Sequence, residues 1–312
     1  MLLEYYFKRL GNIPEFLKPY LEVESLVRLK DVGYFCGMDY ASKDVYDFKE
    51  LITRYDHSLS VALLTYNLTN DKKATIAALF HDIATPCFSH VIDYMNKDYE
   101  KQESTEEYTE YIIRNDKLLV QLLNKDNIKI EDIINFKQYS IVDNDRPKLC
   151  ADRLDGIILT GISWTKDINK EDIDNIIDSI KVFINENNEK EIGFTNELVG
   201  KRVLDISENI NSYCHSNEDN FMMELLAKMT KLAISKDQVT YENLYLLGER
   251  DILALIQYSK DNDLRKLYRV FKTIKKKDIP IINIDNVKER TINPLVNGER
   301  INKGYVLTKR SN

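Results

Sequence analysis

Residues 74–83 read ATIAALFHDI, and this stretch decides the fold. Alanine and leucine are strong helix formers, and Ala74, Ala77, Ala78 and His81 recur at i, i+3, i+4 and i+7. The spacing predicts a helix with one face turned to a neighbouring helix and a histidine at its end. Asp82 follows at once. Adjacent helical residues point about 100° apart, yet both side chains can converge on one ion beside a helix end. Thr85-Pro86 then breaks the helix and leaves an irregular segment that a ligand can approach.

The same periodicity extends along the chain. Val61, Leu64 and Leu68 form one series, and Ile173, Ile176, Ile177 and Ile180 another. Val199, Val203, Ile206 and Ile210 follow, then Met222, Leu225, Leu226 and Met229, and finally Leu264, Leu267, Tyr268 and Phe271. Apolar faces of this kind bury against one another, which predicts an all-α helical bundle. Two places read as extended structure: EIGFTN at 191–196 and IPIINI at 279–284. Residues 1–235 are expected to form the helical core. Residues 236–312 are expected to form a small helical C-terminal appendage with a short strand, and Lys275–Lys277 a solvated face.

At 312 residues the chain can bury a sizeable core, and 10 Gly with 6 Pro supply few breakers. The net charge of −7 argues against nucleic acid or an anionic membrane surface as a partner. Cys36, Cys87, Cys150 and Cys214 are widely spaced and lack a C-x-x-C pair, which fits a reducing compartment. No apolar run is long enough to span a membrane, and the N-terminus lacks the pattern of a secretory leader, so a cytoplasmic location is expected.

Of the 4 histidines, His57, His81 and His90 fall within the window 57–90, with His215 far downstream. DHSLSVALLTYNL at 56–68 offers a second helix that carries His57. KLCADRLDGIIL at 148–159 offers a third that carries Asp152. Three helices contributing nitrogen and oxygen ligands is how helical bundles build metal sites. Such a set suits a hard or borderline divalent ion and leaves room for water and a phosphate oxygen.

RYDHSLSVALL at 54–64, HDIATPCFSH at 81–90 and ADRLDG at 151–156 together resemble the HD-domain metal-dependent phosphohydrolase superfamily. They are most similar to its deoxynucleoside triphosphate triphosphohydrolase branch. The upstream stretch ending PYLEVESLVRLKDVG resembles the segment before the first box. The resemblance implies an HD-domain bundle in which His57, His81, Asp82 and Asp152 hold one divalent ion (Mn, Fe, Ni, Zn, Co or Mg). It implies that Arg54 and Arg153 contact substrate phosphate, and it places Asp82, Thr85 and His90 at catalytic positions. The implied activity is hydrolysis of a nucleotide or related phosphate ester. Homo-oligomers are frequent among such proteins.

This sequence also departs from the pattern. Thr85 stands where the branch has a histidine, Pro86-Cys87 replaces Gly-Pro, and Gly156 replaces a tyrosine. Lys101 and Gln102 stand where a second His-Glu pair is expected. Asp56, Lys101, Glu103 and Glu106 are other candidates for proton transfer. Without the auxiliary groups, the alternative is a nucleotide or phosphate sensor that keeps the metal site and lacks catalysis.

Overall fold

A computed structural model describes residues 1–96, 108–284 and 288–302, and the chain folds as a predominantly helical bundle. At its centre lies a helical hairpin, Arg54–Thr69 followed by Lys72–Phe80. Its first helix is started by a reciprocal cap. The Asp56 backbone N–H donates to Thr53 Oγ1 at 3.2 Å, and the Thr53 N–H donates to Asp56 Oδ2 at 2.8 Å. Asp56 is thereby committed to the helix end. The helix stops at Asn70, whose φ of 52° is left-handed. The next begins at once, because Asp71 Oδ1 accepts the Lys73 and Ala74 N–H groups.

Residues 74–80 are all buried, so the short second helix is covered on every side. The first helix packs against it and against a third helix, Ala151–Ser163. These three helices carry His57, His81 and Asp152, and their packing fixes the relative positions of those side chains. Helix Asn217–Ser235 packs on Val91–Asn96 and on Asn262–Thr273, and buries Met222, Leu225, Leu226 and Met229.

A four-stranded sheet flanks the bundle. Ile180–Ile184 pairs antiparallel with Lys190–Phe194, which pairs in parallel with Leu295–Val296, and the Leu295–Val296/Glu299–Arg300 hairpin completes the order. The strand expected at 191–196 is present as Lys190–Phe194. Ile180 ends its helical series as the first residue of a strand. The strand expected at 279–284 is not formed. There the side chain of Asn217 takes the place of a neighbouring strand: its Nδ2 donates to the Pro280 carbonyl at 3.0 Å, and its Oδ1 accepts the Ile282 N–H at 2.9 Å. Ile281 is left 89% exposed. The C-terminal pairing falls instead in NPLVNGER, where Asn297 and Gly298 both have positive φ and close a two-residue hairpin turn. Arg300 from this hairpin makes a two-pronged pair with the buried Glu191. Lys275–Lys277 is exposed, as a solvated face would be.

Candidate metal centre

His57 sits one turn into its helix, with a side chain only 2% exposed. Its Nδ1 shares a 2.7 Å hydrogen bond with Asp155 Oδ2, which leaves Nε2 facing Asp152 Oδ1 at 3.0 Å. Asp155 is fully buried and also accepts the Tyr6 hydroxyl at 2.7 Å. His81 caps the second helix, and its Nδ1 donates to the Ala78 carbonyl at 2.7 Å. Its Nε2 lies 3.5 Å from Asp152 Oδ1 and is buried without a hydrogen-bond partner. Asp82 closes the group, with carboxylate oxygens 3.8 Å from His57 Nε2 and 3.8 Å from His81 Nε2.

The ligand atoms of His57, His81 and Asp152 lie within 4.8 Å of one another. An Nδ1 that donates elsewhere fixes the neutral tautomer whose Nε2 lone pair is free to bind. Two such lone pairs converge on carboxylate oxygens, an arrangement that calls for a cation between them. The orphaned Nε2 of His81 is the sharpest sign, since buried polar atoms are otherwise almost always paired. The electrostatics agree. Without an ion a proton takes its place on His57 Nε2: burial works against the charged ring, yet Asp152 and Asp155 hold its pKa up to about 10. Burial would raise Asp82, but His81, Arg54 and His57 hold it down to about 2. A divalent ion supplies the same positive charge, and this donor set fits one. Asp152 also approaches Asp143 and Cys150. Burial pushes the Cys150 thiol up to about 12, however, so it stays protonated and is a poor ligand.

The centre opens into a cavity of about 550 Å³. Arg54 lines it, donating from Nη1 to Asp82 Oδ2 at 2.9 Å and from Nε to Ser89 Oγ at 3.2 Å. His90 lines it too, with its Nδ1 held by Asp93 Oδ2 at 2.9 Å. Burial lowers the His90 pKa, and Asp93 only partly offsets this, so the ring is neutral near pH 7. Arg153 reaches the cavity wall, but its guanidinium is bound into the loop before its helix, to Asn144 and to the Lys148 carbonyl.

Thr85 is 3% exposed and does not line the cavity; its carbonyl accepts Arg28 Nη2 at 2.5 Å. Lys101, Gln102, Glu103 and Glu106 lie outside the described residues. Asp155, Asp93 and Tyr34 are site residues that the sequence reading passed over. Asp155 and Asp93 each stand three positions after a singled-out residue, a spacing that places side chains on one helix face. Tyr34 gave no such signal. Its ring lies 5.0 Å from that of His57, and its hydroxyl lies 2.8 Å from the point a Cβ on Gly156 would occupy. Gly156 makes room for it.

Residues 54–158 match the family described as HD domain, and that segment holds the whole ligand cluster. The chain carries an HD domain. HD domains bind divalent metal ions, and His57, His81 and Asp152 form a suitable site here. Over 221 residues the chain is 25% identical to the uncharacterized protein YdhJ of Bacillus subtilis, covering 69% of this chain and 64% of that one. Over 133 residues it is 28% identical to the metal-dependent phosphohydrolase cns2 of Cordyceps militaris, covering 42% of this chain and 37% of that one. The matches thus span less than two thirds of either relative. No helix among the described residues is long and apolar enough to cross a membrane.

Proposed function

We propose that this HD-domain protein is a phosphoric-ester hydrolase acting on a small phosphorylated molecule of the nucleotide type. The observation that carries the reading is the joining of two features in one cavity: the convergent His57, His81 and Asp152 cluster with Asp82 beside it, and the His90–Asp93 pair. A bound divalent ion supplies Lewis acidity and makes water a better nucleophile near neutral pH.

The remaining work belongs to this chain's own groups. Arg54 neutralises charge at the cluster and can turn part of its fork to a phosphate oxygen, a contact suited to guanidinium geometry. His90, neutral and with Nδ1 fixed by Asp93, keeps Nε2 for proton transfer with the substrate. Arg153 supports the 144–148 loop and adds positive charge at the cavity wall. Tyr46, Phe48 and Trp164 line the same cavity and offer apolar surface to a base or sugar.

The test is a screen of nucleotides and generic phosphoesters with several divalent ions, reading products by mass, for wild type and His81→Ala. Product that requires a divalent ion and is lost in His81→Ala supports the reading. Nucleotide binding without product under any ion would replace it with the sensor reading.

A further inference from the structure

Helix Ala151–Ser163 runs along the cavity from the ligand cluster toward the aromatic side chains Phe48 and Trp164. Asp152, Gly156 and Thr160 follow one another at i, i+4 and i+8, Trp164 caps the end, and all four line the cavity. Each step advances about 6 Å, so position 156 is the first turn beyond the ligand cluster. A glycine inside a helix is less stable than an alanine, and here its missing side chain has a use. A Cβ at 156 would meet the Tyr34 hydroxyl oxygen at 2.8 Å. Tyr34 is set in this gap from both sides. Its ring lies 5.0 Å from that of His57 and 5.4 Å from that of Phe35, and Phe35 stacks on Phe48 at 4.4 Å. The Arg54 guanidinium lies 4.9 Å from the Tyr34 ring centre, and the Tyr34 N–H donates to the Ile52 carbonyl at 2.9 Å. The ring is thus held firmly, while no hydrogen bond among the described residues takes up its hydroxyl.

We infer that the Tyr34 hydroxyl is a catalytic donor to the leaving oxygen of the substrate ester; this rests on the phosphohydrolase reading above. The order of groups along the cavity carries the inference. The phosphoryl group belongs at the ligand cluster, and the organic group belongs against Phe48 and Trp164. The ester oxygen that joins them then falls on the turn between, where the hydroxyl stands. A phenol keeps its proton near neutral pH and has one to donate. It therefore suits an oxygen that gains charge as its bond to phosphorus breaks.

The step balances with groups already placed in the cavity. The oxygen of a water bonds to phosphorus, and one of its protons passes to His90 Nε2. The bond from phosphorus to the ester oxygen breaks, and its electron pair stays on that oxygen. Tyr34 passes its proton there, and His90 returns a proton to the phenolate through cavity water. The products are the alcohol and phosphate, and both side chains end as they began. His90 and Tyr34 thereby divide the work, one accepting and the other donating.

The probes are para-nitrophenyl phosphate, whose leaving group needs no proton, and benzyl phosphate and thymidine monophosphate, whose alkoxide leaving groups do. Each is offered to the metal-loaded full chain. Tyr34→Phe is expected to lose about 10²–10³-fold in kcat on the two alkyl esters, the usual worth of one such donor. Its loss on para-nitrophenyl phosphate is expected to be much smaller, a split by leaving group that a merely structural role does not produce. Metal content and melting temperature of the variant are expected to match wild type. Gly156→Ala pushes the hydroxyl off its place and is expected to show the same split, so it carries the test should Tyr34→Phe fail to fold. A loss of equal size on all three esters, or no loss on any, overturns the inference and leaves the hydrolase reading standing. Turnover of none of them by wild type removes that reading, and this inference with it.

Discussion

The Glu249 carboxylate accepts the backbone N–H of Phe88 at 2.9 Å, across 161 positions of sequence. Its other oxygen accepts the Gly33 N–H at 3.0 Å. One buried side chain thus holds both the turn before His90 and the segment that carries Tyr34. The turn needs holding: Phe88 and Ser89 have φ of 65° and 44°, in the left-handed region that side chains disfavour.

Glu249 also makes stability depend on pH. Burial, reinforced by Asp39, pushes its pKa up to about 8 from the ordinary 4.5. The folded chain therefore holds a proton that the unfolded chain has already released. This contribution is complete below pH 4.5 and is lost as pH rises through 8. Glu249→Gln sets an amide N–H₂ against one of two backbone donors, so it is expected to cost about 1–3 kcal/mol at pH 5. The gap to wild type is expected to narrow toward pH 8, by no more than about 1.4 kcal/mol per pH unit. Denaturant melts across that range test it, and a gap that widens with pH contradicts the assignment.

Asp155→Asn tests the metal centre from behind. The substitution keeps the shape of the side chain but weakens the hold on His57 Nδ1. Outer partners of this kind are typically worth about 10–100-fold in metal affinity. Competition with a metal-binding dye should show a loss in that range, and His81→Ala should lose the ion more completely. Metal affinity unchanged in Asp155→Asn would mean that His57 needs no orientation or binds no ion.

Removal of His90 should separate chemistry from metal binding. His90→Gln is expected to retain the ion and to lose about 10²–10⁴-fold in turnover, the usual value of general acid–base help. Asp93→Asn should fall between wild type and that variant, since it disturbs the tautomer and leaves the ring in place. Elemental analysis alongside steady-state rates checks both. Full activity in His90→Gln would move the proton-transfer role to another group.

The helices and the ligand cluster were legible because both rest on local rules. The i, i+3, i+4 spacing of Ala74, Ala77, Ala78 and His81 follows from helix geometry alone, and the three boxes carry their ligands at fixed offsets. What could not be read is what depends on long-range packing. Nothing near Glu249 signals a bond to Phe88, and nothing near Lys288 signals a cavity shared with His90. The strand expected at 279–284 failed for a related reason. Alternation reports what a segment could pair with, and here Asn217 reached its backbone instead. Gly156 read as a loss by its letter, whereas in three dimensions it is space for Tyr34.

Thr85 shows the same distinction most sharply, and it yields the last prediction. By sequence, a threonine in place of histidine suggests a missing proton-transfer group, and Thr85→His would either raise triphosphate hydrolysis or do nothing. The structure places Thr85 at 3% exposure, away from the cavity, with its N–H donating to the Asp82 carbonyl at 2.9 Å and its own carbonyl held by Arg28. An imidazole at this position must displace packed neighbours or force the turn open, and overpacking a filled site typically costs about 1–3 kcal/mol. Because Thr85 follows Asp82 by three residues, opening that turn also disturbs the carboxylate that faces His57 and His81. Thr85→His is therefore expected to lower the melting temperature and to leave triphosphate hydrolysis unchanged or reduced. Thr85→Val keeps the volume, loses only the hydroxyl, and should retain turnover. Thermal melts, metal content and triphosphate turnover on the two variants decide it. A rise in triphosphate hydrolysis with undiminished stability in Thr85→His would show that the turn can present this side chain to substrate after all.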